Sequence, residues 1–130
     1  MLRRILFLVT LVSLLVPTAG CGADQAKLTQ ADNGKIIDVK TGGQIVVELE
    51  GNPSTGYTWE AKNLDASMLK QVGETTFKSS NPGLVGAGGI LTLTYRTLKV
   101  GTTSLTMVYH RTWETDVKAQ GTFMVTVNVK

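Results

Sequence analysis

The sequence has 130 residues, a formal net charge of +3, 42% hydrophobic and 18% charged residues, which is the make-up of one ordinary globular domain. That balance excludes a disordered chain, and no internal period marks a repeat array. The only cysteine is Cys21, so an internal disulfide and a cysteine-based zinc site are excluded and stability must come from a packed core.

Residues 1–20 have the layout of an export signal. Arg3 and Arg4 give a charged start, 5–16 form an apolar run, and Thr18, Ala19 and Gly20 are small residues ahead of Cys21. The apolar run is shorter than the roughly 20 residues that span a bilayer, so it reads as a signal and not as a stable anchor. Cys21, directly after Ala19 and Gly20, resembles the lipobox of bacterial lipoproteins, with Thr18 standing where that pattern prefers Leu. The resemblance implies that Cys21 is lipidated and becomes the mature N-terminus, which places the protein at the bacterial cell envelope, attached to a membrane through its N-terminal lipid. An ordinary secreted or periplasmic protein is the alternative. Each buried acyl methylene adds roughly 0.8 kcal/mol of membrane affinity, so several chains would tether a domain durably. Without Arg3 and Arg4 the chain has 11 basic against 10 acidic residues, and overall basicity gives no argument for nucleic acid or anionic lipid.

Residues 21–33, the lipidated cysteine followed by "GADQAKLTQADN", are small and polar and read as a tether without structure of its own. The domain is expected over 34–130. There the apolar period is two: Ile45, Val47 and Leu49 share a face, as do Leu91, Leu93 and Tyr95, then Leu105, Met107 and Tyr109, then Phe123, Val125, Val127 and Val129. Strands are expected at 35–40, 43–50, 57–61, 74–78, 90–98, 103–110 and 122–129, with 64–72 as a single helical turn. About seven strands at this spacing predict an all-β fold, an immunoglobulin-like antiparallel β-sandwich. If successive strands alternate in direction, the connections carrying "NPSTGY", "SSNPGLVGAGG" and "RTWETD" fall at one end, opposite the tight link "KVGT" at 99–102.

Candidate chemistry is sparse. His110 is the only histidine and has no nucleophile beside it, so it reads as a surface or satisfied core residue. Glu48 with Glu50, and Glu114 with Asp116, are spaced i, i+2 and read as solvated edging. No metal site or cofactor is expected. "GAGG" at 86–89 lacks the Lys-Ser/Thr of a phosphate loop, which leaves a flexible turn or a backbone that another protein approaches closely. Trp59 lies among apolar strand neighbours and reads as core. Trp113, beside Arg111 in a loop, reads as an interface residue or as local packing. In "NPSTGY", Pro53 and Gly56 restrict and permit backbone angles while Asn52, Ser54 and Thr55 can bond within the turn. That describes an ordinary turn or a preorganised binding loop.

Taken together and in order, Asn52–Tyr57 "NPSTGY", Gly86–Gly89 "GAGG" and Arg111–Trp113 "RTW" resemble the three loop motifs of the chagasin family, inhibitors of papain-like cysteine peptidases. The resemblance covers roughly residues 30–130. It implies a non-enzymatic, reversible, tight-binding inhibitor, acting as a monomer, whose three loops fill the peptidase cleft. Asn52, Pro53, Ser54, Thr55, Gly56 and Tyr57 would sit over the catalytic cysteine, with Ser54 and Thr55 nearest it. Gly86, Ala87, Gly88 and Gly89 would lie along one side of the groove, and Arg111, Thr112 and Trp113 along the other. The family commonly has Thr at the position of Ser54 and Pro at that of Thr112. A lipoprotein adhesion or assembly module using the same loops on a non-peptidase partner is the alternative.

Overall fold

The structure, a computed structural model, describes residues 23–130. The expected signal and Cys21 lie outside the described residues. Among the described residues the alternating runs form eight strands: β1 Ala23–Leu28, β2 Ile36–Gly51, β3 Thr58–Lys62, β4 Leu69–Gln71, β5 Thr76–Ser79, β6 Gly89–Thr97, β7 Gly101–His110 and β8 Gly121–Val129. The fold is all-β, as the alternation requires.

The strands hydrogen-bond in the order β3-β7-β8-β2-β6-β4, with β1 on β2 and β5 on β6. One layer holds β3, β7, β8 and the first half of β2; the other holds the second half of β2 with β1, β6, β4 and β5. The expected immunoglobulin-like sandwich is present, and its two layers are joined into one curled sheet because β2 belongs to both. The first half of β2 pairs in parallel with β8, Ile36 opposite Thr126 through Val39 opposite Val129. The second half pairs antiparallel with β6, Gln44 opposite Arg96 through Gly51 opposite Gly89. β8 starts beside Tyr109, and β2 ends where the Asn52 N–H meets the Tyr109 hydroxyl. The first half therefore runs away from that end and the second returns to it. The runs expected at 35–40 and 43–50 are these two halves, and the reversal at 40–43 is closed by Thr97, whose buried hydroxyl donates to the Lys40 carbonyl at 2.6 Å.

The tether expected over 21–33 is corrected from Ala23 onward. β1 pairs in parallel with β2, Gln25 opposite Gln44 through Leu28 opposite Val47, and a 3-10 turn follows at Gln30–Asp32. This strand is hard to see in the sequence because within 24–28 the one buried side chain is Leu28, and its pairing is made by backbone groups that carry no sequence signal. The expected turn in 64–72 is present, with Met68 and Leu69 N–H groups both bonding the Asp65 carbonyl. The chain then continues into the short β4.

Ile45, Val47 and Leu49 from β2 meet Leu91, Leu93 and Tyr95 from β6, Leu105 and Met107 from β7, and Phe123, Val125, Val127 and Val129 from β8. All are buried, so the inward faces read from the sequence are those of the core. Burial pushes the Tyr95 hydroxyl up to about 12, with the Glu60 charge a smaller contribution, and that hydroxyl has no hydrogen-bond partner among the described residues.

Candidate functional site: a rim of three loops

The strand directions bring the connections β2–β3, β5–β6 and β7–β8 to one end. The first is the tightest. Asn52 caps a 3-10 turn at Pro53–Thr55, its Oδ1 accepting from the Ser54 N–H at 3.2 Å and the Ser54 hydroxyl at 2.5 Å. The Thr55 hydroxyl donates back to the Asn52 carbonyl at 2.6 Å. Gly56 closes the turn at φ 83°, a left-handed conformation that disfavours a Cβ. A Cβ there would also strike the ring of Trp113.

The second loop is tied at its base, where the Ser80 hydroxyl donates to the Gly88 carbonyl at 2.7 Å. Within the "GAGG" run the glycines have different jobs. Gly89 lies so close to the Lys78 carbonyl that a Cβ would clash, which makes it a requirement of the β5–β6 pairing. Gly86 has φ 78° and turns its carbonyl toward the first loop. The tip exposes Leu84 (60%) and Val85 (fully). These two apolar residues were not among the sequence candidates, although two aliphatic side chains inside a run of turn-formers were a signal.

In the third loop Arg111 is a clamp. Its Nε donates to the Thr55 carbonyl at 3.0 Å, its Nη1 to Glu114 Oε1 at 3.1 Å, and its guanidinium lies 4.5 Å from the centre of the Tyr57 ring. Trp113 is 66% exposed, and Thr112 beside it is exposed. The Asn52 side-chain amide donates to the Gly86 carbonyl at 2.9 Å. Asn52 and Arg111 therefore bond the first loop to the other two, and every sequence candidate from Asn52 to Trp113 falls on one rim.

Beneath the rim stands an aromatic column. Tyr109 lies 5.3 Å from Tyr57 and 5.2 Å from Trp59 between ring centres. Its hydroxyl accepts the Asn52 N–H at 2.8 Å, and Trp59 Nε1 donates to the Glu50 carbonyl at 2.9 Å. Trp59 is core, as its strand position implied. The alternation marks Tyr109 only as an inward strand residue; its place as the post under the first loop emerges from the fold. His110 Nε2 lies 2.7 Å from Glu60 Oε2 across β3 and β7, a satisfied residue. Glu48 pairs with Lys27 and Glu114 with Arg111. Among the described residues no group of three His, Cys, Asp or Glu side chains could hold a metal ion, and no helix is long and apolar enough to cross a membrane.

A family model described as chagasin family peptidase inhibitor I42 matches residues 38–127. Amoebiasin-1 of Entamoeba histolytica is 29% identical over 103 residues, 79% of this chain and 98% of that protein. Amoebiasin-2 of the same organism is 34% identical over 89 residues, 67% of this chain and 71% of that protein. The crystal structure of the cysteine protease inhibitor EhICP2 from Entamoeba histolytica superposes with a TM-score of 0.71 at 27% identity, covering 82% of this chain and 96% of that one.

Proposed function

This chain belongs to the chagasin family of peptidase inhibitors, and from that premise we propose that its three-loop rim closes the active-site cleft of a papain-like cysteine peptidase. The protein is an inhibitor of cysteine peptidases and not an enzyme. The observation that carries the mode of action is the pair of hydrogen bonds, Asn52 to Gly86 and Arg111 to Thr55, that makes three loops one preassembled surface. A surface held before binding loses little conformational entropy on docking. A rim of this kind buries on the order of 800 Å² on each partner, the scale of a stable interface.

The chemistry explains inhibition without turnover. Cleavage needs an extended peptide whose carbonyl reaches the thiolate in an aligned geometry. The first loop offers a 3-10 turn instead, locked by Asn52, Pro53 and Gly56. Pro53, Ser54 and Thr55 are the exposed residues of that turn, and in the proposed complex Ser54 and Thr55 sit over the catalytic cysteine and present no aligned scissile bond. Their hydroxyls are already bonded to Asn52, so Ser54 serves by stiffening the turn, a task a serine fulfils as well as a threonine. Leu84 and Val85 supply apolar contact on one side and Trp113 on the other.

Progress curves of the chain from Gly22 onward against several papain-like peptidases, with a serine peptidase as control, test this reading. Saturable, reversible inhibition of the former alone is expected; no inhibition of any papain-like enzyme at micromolar concentration overturns it. The reading extends to localisation: residues 1–20 export the chain, Cys21 carries the lipid, and the tethered domain acts as a monomer at the cell envelope. The signal-like order of Arg3, Arg4, the apolar run and Cys21 supports this. Cys21→Ser should move the protein from the membrane to the soluble fraction.

A further inference from the structure

The end of the fold away from the rim is where the chain ahead of β1 joins it. Ala23 stands opposite Val39, Lys40 Nζ lies 3.5 Å from Asp24, and the Lys130 N–H donates to the Val39 carbonyl. The β6–β7 connection at 98–100 completes this end, anchored by the Leu98 N–H on the Met68 carbonyl. From Gly51 and Gly89 at the rim to Gln44 and Arg96 here, β2 and β6 share eight paired positions, a height of about 24 Å.

This end is apolar and cationic together. Val100 is 65% exposed, Leu98 41% and Val72 36%. Leu98 and Val72 line a groove of about 380 Å³ with Lys70 and Arg96, which face each other across β4 and β6. Lys99 stands between Leu98 and Val100. None of Lys70, Arg96 and Lys99 is in an ion pair among the described residues, whereas Lys40 and Lys130 are held by Asp24 and Asp38. Asp65, close enough to feel Lys99, is instead engaged by the Ser67 hydroxyl at 2.6 Å.

We propose that this end is a docking surface for an anionic lipid bilayer, which seats the protein with its inhibitory rim pointing away from the membrane. Two features select that occupant. The chain outside the structure enters here, so a lipid on Cys21, two residues ahead of Ala23, lies within about 7 Å of this end. Exposed aliphatic side chains beside unpaired cations match a surface of acyl chains under anionic headgroups. The attraction is local, since the mature chain has 11 basic against 10 acidic residues. The orientation rests on the lipid-bearing reading of Cys21 given above; the affinity of the surface does not.

The test uses the chain from Gly22 onward, which keeps all eight described strands and the buried core. Sedimentation with phosphatidylglycerol/phosphatidylcholine vesicles is compared with phosphatidylcholine alone at low salt. Each cation near an anionic surface contributes about fivefold in partitioning, so Lys70, Arg96 and Lys99 give a preference on the order of a hundredfold. The triple variant Lys70→Glu, Arg96→Glu, Lys99→Glu should remove that preference, and Leu98→Ser with Val100→Ser should weaken binding to both vesicles. All variants should inhibit a papain-like peptidase like the parent, which reports that they are folded, and the parent should inhibit while vesicle-bound. Equal partitioning onto both vesicles, an unaffected triple variant, vesicle binding that blocks inhibition, or self-association through this end without lipid would each overturn the proposal. Loss of peptidase inhibition in solution would instead tell against the proposed function, and an unchanged fractionation of Cys21→Ser against the tether.

Discussion

Trp113 and Trp59 show how far single residues could be read. Trp59 sits in an alternating run and is buried, whereas Trp113 sits in a loop and is 66% exposed. Period and loop position separated them. Arg111 was legible as a loop residue but not as a clamp, because its partners Thr55, Glu114 and Tyr57 come together only through the fold. Trp113→Ala should weaken peptidase binding by about 2 kcal/mol, the range of an aromatic interface anchor, with little change in melting temperature because the ring is largely exposed. Inhibition assays and a thermal melt check both halves. Gly56→Ala should raise the inhibition constant more than tenfold, since it strains a left-handed residue by about 1 kcal/mol and displaces the Trp113 ring. Tyr95 predicts an alkaline effect. Its folded value of about 12 lies above the ordinary value of 10.0, so the unfolded chain ionises first. The contribution is whole below pH 10 and is lost as pH rises toward 12, roughly 3 kcal/mol in all. Tyr95→Phe should abolish this part of the pH dependence in denaturant melts.

At the scale of elements, alternation was sufficient wherever both layers bury a face. The inward sets of β6, β7 and β8 carry apolar residues at every second position, and a one-residue slip would turn them to solvent. β1 and β4 escaped because an edge strand of six residues and one of three bury too few side chains to set a period. β2 was legible as two strands, and its reversal at 40–43 depends on Thr97, which also donates to the Gly43 carbonyl at 3.4 Å. Thr97→Val keeps the shape and removes the donor, so stability should fall by about 1–2 kcal/mol. Urea unfolding measures this, while inhibition by the folded variant stays unchanged because the turn lies at the end away from the rim.

At the scale of the whole molecule, the rim could be inferred from strand direction alone, because each of its loops follows a strand that runs the same way. The start of the fold could not, since β1 completes the β2 edge through backbone pairing from a polar stretch. A chain beginning at Lys35 should lose the burial of Leu28, about 2 kcal/mol, and expose the β2 edge as a template for pairing between molecules. A lower melting temperature and concentration-dependent aggregation are expected by calorimetry and light scattering. The same arrangement has a practical side. Val39 pairs with Ala23 on one flank and bonds Lys130 on the other, so both ends of the described chain emerge together, about the height of the sandwich from Trp113. A cargo, solid support or second inhibitor joined at either end would hang behind the molecule and leave the rim free, which makes the fold a ready-made handle for presenting one set of loops.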